Sequence, residues 1–334
     1  MNTHLKPQDL LETENLDLLE PDSRKGKPRK GAPIKRSEHA VMDEIIQHAS
    51  ATGVGDEQAF SPTFTSSRHE REWILNYLGA FYDEQFITDV LARVKGGKEA
   101  NVYCCQAFPG LGTDLVAAKI YRPRMLRNLR NDALYREGRR VIDESGKQVI
   151  DDRALHAVRK GSAYGKELSH TSWVGHEYQV LELLHRAGVH VPRPFASGTN
   201  TILMEYLGEA FAPAPTLNRV RLSGRAEARH LYEQLVNDVD TMLACNRIHG
   251  DLSAFNVLYW QGEYRIIDFP QSIDPRENRN AFSIFRRDLT RLCEYFDRYA
   301  IVSRPASLAW KMWKNHGLAD LWTVDDTDWE DREA

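Results

Sequence analysis

The spacing of apolar residues changes along this chain, and each change marks a boundary. Residues 1 to about 66 hold no sustained apolar period, so no packed element is expected there beyond a short helix around 37–49. From Arg68 a helix is expected, carrying Trp73, Leu75, Leu78 and Phe81. The pattern then turns to that of strands. Runs at 86–94, 102–108 and 115–121 are separated by the bend Lys95-Gly96-Gly97-Lys98-Glu99-Ala100-Asn101 and by a turn at Pro109-Gly110-Leu111-Gly112. Helical spacing resumes at 172–187, a buried strand at 201–207 closes on Gly208, and a further helix fills 225–245. Two short apolar strands flank a hairpin turn at Gln261-Gly262, and a last helix runs through Phe282, Phe285, Leu289, Leu292 and Phe296.

Charges that break this pattern point to chemistry. In Val116-Ala117-Ala118-Lys119, a period of two puts Ala117 and Lys119 on one face, where the small residue leaves room for a flat base. An ammonium on an apolar strand is costly unless it meets an anion. Helix 172–187 offers one: Trp173, Val180, Leu181 and Leu184 share a stripe, and Glu177 falls in its middle. Glu182 lies off that face. Lys119 and Glu177 are thus the two halves of a phosphate-positioning ion pair, the alternative being two charges that snorkel to water. The bend at 95–101 joins two strands, and its Gly96 and Gly97 let backbone N–H groups approach phosphates closely. It is a degenerate glycine loop, since Lys95 and Ala100 stand where glycines would.

The stretch Ile248-His249-Gly250-Asp251-Leu252-Ser253-Ala254-Phe255-Asn256, followed by Ile266-Ile267-Asp268-Phe269, places Asp251, Asn256 and Asp268 at the ends of short strands. A phosphoryl-transfer site needs those groups: one carboxylate orients the attacking hydroxyl, while an amide and a second carboxylate hold Mg²⁺. Turn residues alone would explain H-x-D, but not the five-residue gap and the Asp after two isoleucines. Beyond Phe269-Pro270-Gln271 there is no Ala-Pro-Glu, and no room for a long activation segment before the next helix.

Composition narrows the rest. At 334 residues and a formal charge of −4, the chain can bury a substantial core and has no global field that recruits nucleic acid. Two basic stretches remain as local exceptions. One is the arm at 24–36, with seven Lys or Arg among Pro and Gly, read as disordered and either solvated or contacting an anionic surface. The other is an insert at 122–166 with twelve Lys or Arg against six Asp or Glu, a loop length that is functional or disordered. Cys104 and Cys105 are neighbours on a strand and so poor joint metal ligands; with Cys245 and Cys293 they read as reduced packing residues. No apolar run reaches bilayer length and no leader opens the chain, so a cytoplasmic protein without membrane contact is expected.

In these motifs the chain resembles the RIO family of atypical serine/threonine protein kinases, in the subgroup without an N-terminal winged helix. The match runs from about Arg68 to Arg298 and is carried by the 95–103 segment, Lys119, Glu177, His249 to Asn256, and Ile267-Asp268-Phe269-Pro270-Gln271. The resemblance implies an α+β, two-lobed protein-kinase-like fold, ATP with Mg²⁺ or its substitute Mn²⁺, and autophosphorylation beside an unknown protein substrate. It also implies an output that is mainly an ATPase switch, and a partner in the rRNA of the maturing small ribosomal subunit. Position by position, Asp251 would orient or deprotonate the acceptor, and Asn256 and Asp268 would ligate the metal. Lys119, held by Glu177, would hold the phosphates under Gly96, Gly97, Lys98 and Glu99. Val102, Ala117 and the backbone of Glu205 and Leu207 would line the adenine, and Asp268 would itself accept a phosphoryl group. The implied organisation is an extension at 1–66, an N-lobe at 67–207 containing the insert, a C-lobe at 208–322 and an acidic tail at 323–334. Two departures stand out: Gly96 lies where relatives often carry a hydroxyl residue, and Gly250 replaces the Arg of H-R-D. The competing readings are a small-molecule phosphotransferase of aminoglycoside or choline kinase type, which shares H-G-D-x-x-x-x-N, and a non-catalytic ATP-liganded RNA or ribosome-assembly binder.

Overall fold

Ser67 opens the folded part by accepting the Glu70 N–H on its hydroxyl, which starts helix α1 (Arg68–Asp83). This computed structural model describes residues 60–97, 99–122, 140–143 and 146–321. The basic arm, the 37–49 helix, Lys98, residues 123–139 of the insert and the acidic tail lie outside the described residues. Helix α1 buries Trp73, Ile74, Leu78 and Phe81. Ile74, not Leu75, takes the inward place, because 74, 78 and 81 fall on one i, i+4, i+7 stripe.

That stripe packs on an antiparallel sheet of β1 (Ile87–Gly96), β2 (Ala100–Ala107), β3 (Leu115–Tyr121), β4 (Pro194–Ser197) and β5 (Thr201–Glu205), in the order β1-β2-β3-β5-β4. Alternation along β3 then sorts its residues. Val116, Ala118 and Ile120 join the α1 side with Cys105 and Leu203, while Ala117 and Tyr121 join the core on the opposite side. Lys119 shares parity with that second pair, so the sheet itself aims the ammonium away from α1. Cys104 and Cys105 are buried free thiols. Burial pushes the Cys104 thiol up to about 11, which fits packing residues rather than reactive ones.

Between β3 and β4 the expected irregular insert is partly regular. Its second half forms helix α2 (Asp152–Lys160), capped by Asp151, and helix α3 begins at Ala163 rather than near 172, running to Arg186. The reason is local. Ser162 accepts the Gly165 N–H and Gly161 closes α2 in the left-handed region, while the apolar stripe of α2, Ala154, Leu155 and Val158, spans little more than one turn within a charged stretch. The two helices meet backbone to side-chain-free backbone: a Cβ on Gly165 would lie 2.0 Å from the Ala157 carbonyl oxygen.

After β5 a short hairpin, β6 (Gly208–Glu209) with β7 (Ala212–Pro213), leads into the helical half. There α4 (Arg225–Ala244), α5 (Ala281–Asp297) and α6 (Pro305–Asn315) pack around Leu235, Phe285, Phe296 and the fully buried Trp313. The hairpin β8 (Val257–Trp260) and β9 (Glu263–Ile266) turns at Gln261-Gly262 as the sequence predicts. Ile248 makes only an isolated bridge to Ile273, not a strand. A small sheet-rich lobe and a mainly helical lobe therefore meet at the ends of β3, β5 and β9, which is a two-lobed kinase-like arrangement. Among the described residues no helix is long and apolar enough to cross a membrane.

Gly165→Ala should destabilise the fold by about 1–3 kcal/mol in urea denaturation, because α2 must move away from α3. Gly79→Ala in α1, where an added Cβ meets nothing within 4 Å, is the matched control and should be neutral or stabilising.

Candidate active site

Three elements converge on the Lys119 ammonium. Its Nζ lies 2.8 Å from Glu177 Oε1 on α3 and 2.6 Å from Asp268 Oδ1, just past β9. Glu177 is 1 % exposed along its side chain, Lys119 13 % and Asp268 40 %, so the buried carboxylate anchors the cluster and Asp268 opens it to the cleft. The second Glu177 oxygen accepts from the Tyr121 hydroxyl at 2.6 Å. Tyr121 stands two residues after Lys119 on the same strand face, with its ring centroid 5.0 Å from Nζ. Both oxygens of the buried carboxylate are therefore satisfied from one strand.

The electrostatics follow from this geometry. Burial would strip the Lys119 proton, but Asp268 and Glu177 outweigh it and hold the ammonium well above its usual range. Burial likewise raises the Asp268 carboxyl, yet Lys119 reverses the balance and the net shift is downward. The Tyr121 phenol is driven up by burial and by Glu177, so it stays a donor.

A second layer fixes the loop that carries Asp251 and Asn256. His249 is buried; its Nδ1 accepts the Asp251 N–H at 3.2 Å and its Nε2–H donates to the Ile267 carbonyl at 3.0 Å. Asn256 Nδ2 donates to the Asp251 carbonyl at 2.9 Å, and the Asn256 carbonyl accepts the Ile267 N–H at 2.9 Å. Loop and β9 end are thus stitched together at His249 and Asn256. Asp268 has φ 75°, a region Asp tolerates better than most residues, and this reversal sends Phe269 into the core. Gly250 has φ 88°, and a Cβ there would lie 2.2 Å from the Gln271 carbonyl oxygen. The missing Arg of H-R-D thus has a steric cause. Asp288 on α5, whose carboxyl is raised by burial, accepts the Gly250 N–H at 2.8 Å.

The remaining sequence candidates sit around this centre. Gly96 pairs with Asn101 across the β1–β2 bend, and a Cβ on Gly97 would lie 3.0 Å from the Ala100 carbonyl oxygen. The Glu99 carbonyl accepts the Arg122 N–H at 2.8 Å, and Val102 pairs with Lys119 across the strands. Glu205 ends β5 with its side chain bound twice by Arg265, at 2.8 and 3.0 Å, and its N–H donating to the Arg193 carbonyl at 2.8 Å. The Leu207 carbonyl accepts the Ala214 N–H at 2.9 Å. Tyr121, Asp288, Arg265 and Arg291 were not singled out from sequence. The first two carried a signal: Tyr121 by parity with Lys119, and Asp288 as a lone acid on the stripe of Phe285, Leu289 and Leu292.

Fold and site together define the protein-kinase-like class. The solved structure of the Rio2 kinase from Chaetomium thermophilum superposes with a TM-score of 0.51 at 19 % identity, covering 82 % of this chain and 77 % of that one, a likeness of fold. The RIO domain family matches residues 132–307, and the chain belongs to that family. Curated relatives include the serine/threonine-protein kinase RIO1 of Chaetomium thermophilum, 30 % identical over 246 residues, covering 70 % of this chain and 43 % of that protein. The RIO-type serine/threonine-protein kinase Rio1 of Haloferax volcanii is 32 % identical over 207 residues, covering 61 % of this chain and 62 % of that protein. The chain thus spans about half the length of these relatives.

Lys119→Ala strands a buried carboxylate and should cost roughly 3–5 kcal/mol in urea denaturation, with Glu177→Gln milder. Equal losses would show that the pair is not a buried one. The deficit has a defined pH dependence. Asp268 has a lowered folded pKa, so its contribution is full above the unfolded value near ~4 and is lost as pH falls through the folded value. The gap between wild type and Lys119→Ala should therefore narrow as pH is taken below ~4; a constant gap would contradict the Lys119–Asp268 attraction.

Proposed function

We propose that this chain is a Mg-ATP-dependent serine/threonine protein kinase of RIO type, acting on itself and on a protein substrate. The observation that carries the reading is the Lys119 ammonium held between Glu177 and Asp268 at 2.8 and 2.6 Å, beside a loop that presents Asp251 and Asn256. A cation braced by a buried carboxylate is suited to gripping phosphate oxygens, and Asp251 to receiving the acceptor proton. In transfer, the acceptor oxygen bonds to the γ-phosphorus, the β–γ bridging bond breaks, ADP leaves and the proton passes to Asp251.

The donor set fits Mg²⁺. Among the described residues no group of three His, Cys, Asp or Glu forms a protein-only metal cage, and Mg²⁺ commonly takes one or two protein ligands and completes its shell with water and phosphates. Asn256 and Asp268 would hold it, and it would neutralise phosphate charge. Ala117, Val102 and the backbone of Glu205 and Leu207 would frame the adenine, with Gly96, Gly97, Lys98 and Glu99 over the phosphates. We further read Asp268 as a phosphoryl acceptor in its own right, which would make ATP hydrolysis the main output. A cytoplasmic site and the maturing small ribosomal subunit are the setting we propose, with the basic 24–36 and 122–166 segments as contacts to rRNA phosphates.

Labelling with γ-³²P ATP tests this. Wild type should acquire label, partly as an acyl phosphate released by hydroxylamine. Asp268→Asn should lose the labile fraction, and Asp251→Asn should lose stable Ser or Thr label by roughly two orders of magnitude or more. Label that resists hydroxylamine entirely would leave Asp268 without the covalent role. No label and no hydrolysis would sink the kinase reading.

A further inference from the structure

Helix α5 grips the Asp251 loop at adjacent points. Asp288 accepts the Gly250 N–H at 2.8 Å, Arg287 donates to the Gly250 carbonyl, and Arg291, one turn on, reaches Asp251 with a 2.9 Å Nη1–Oδ1 contact. The first two contacts hold backbone. Only the third touches the carboxylate. The other Asp251 oxygen lies 3.4 Å from Asn256 Nδ2, so the group is approached from both sides.

The loop supplies no cation of its own. Between Asp251 and Asn256 stand only Leu252, Ser253, Ala254 and Phe255. The Ser253 hydroxyl accepts the Phe255 N–H at the start of the short turn Ala254–Asn256. A carboxylate that is 49 % exposed can sample several rotamers, whereas a base must face its proton. Arg291 meets that need with a planar guanidinium that comes from a helix anchored by Phe285, Leu289 and Leu292 in the core. The pair is too exposed, at 44 % and 49 %, for its main value to be fold stability.

We propose that Arg291 is a positioning residue for Asp251: it confines the carboxylate to one orientation and places beside it the positive charge that the loop lacks. This rests on the kinase reading of the site. It acts on the transfer step and not on nucleotide binding, so it separates kcat from KM.

The test compares wild type, Arg291→Ala and Arg291→Lys in full-length chain. Autophosphorylation and ATP hydrolysis give kcat and KM, calorimetry gives ATP affinity, and thermal melting monitors the fold. Arg291→Ala should lower kcat by about ten-fold or more, with KM and ATP affinity within about two-fold and melting nearly unchanged; Arg291→Lys should recover much of the loss. In nucleotide-free protein, exchange of the Arg291 Nη–H protons with water, followed by low-temperature NMR, should be several-fold slower in wild type than in Asp251→Asn. Undiminished or raised kcat in Arg291→Ala overturns the proposal, as does a loss that tracks a lowered melting temperature and is not rescued by Lys. Equal exchange in wild type and Asp251→Asn also overturns it, whatever the activity. A wild type that neither labels nor hydrolyses ATP defeats the kinase reading and this proposal with it, an outcome distinct from an active wild type indifferent to Arg291.

Discussion

A carboxylate buried to 1 % exposure is the constraint on which this architecture turns. An ionised Glu177 in an apolar core would be prohibitively unfavourable without a cation and a second donor. Strand β3 supplies both, because Lys119 and Tyr121 sit two residues apart and share a face. That requirement sets the rotation of α3 against the sheet, since its other inward residues, Val174, Val180, Leu181 and Leu184, must be buried at the same time. Lys119 then reaches a second carboxylate, Asp268, and so draws the helical lobe to the sheet. One ammonium against two carboxylates leaves a negative charge over, which is the local field that a divalent cation relieves.

Much of this was legible in the sequence where an energetic penalty is written into a pattern. Lys119 on an apolar strand and Glu177 on an apolar stripe each pose a problem that only the other solves, and the structure pairs them. The same logic reaches Asp288 and Tyr121 once applied to every stripe. Helix α2 escaped because its apolar stripe, Ala154, Leu155 and Val158, spans little more than one turn in a charged insert; its other marks were the cap at Asp151 and the Gly161-Ser162 junction. Ile74 displaced Leu75 because neighbouring apolar residues leave the helical phase undecided by one position. Arg291 left no trace. Its partner is forty residues away, and both groups are half in water, so nothing about their burial advertises the contact.

Gly250 shows how a departure from a motif can be read two ways. From sequence alone it is a missing basic partner for a phosphorylated loop. In the structure it is a backbone position where any side chain would strike Gln271, because the segment after Asp268 folds straight back over the loop. Ile248 and Ile273 exchange backbone hydrogen bonds of 3.0 Å in both directions, closing that return within a few residues of Phe269.

That closure also bears on how the site is held ready. In kinases with a long activation segment, the metal-binding carboxylate depends on a loop whose order is set by phosphorylation. Here the Asp268 segment is bounded on one side by β9 and the His249–Ile267 hydrogen bond, and on the other by the Ile248–Ile273 bridge. Asp288 fixes the Gly250 N–H beneath it from the helix that immediately follows. With both ends tied and the carboxylate itself drawn to Lys119, Asp268 has its orientation imposed by short-range packing and charge. The order that kinases with a long activation segment obtain from a phosphate on a mobile loop is obtained here from hydrogen bonds onto backbone, and the glycine at 250 is what lets the two backbones come close enough to make them.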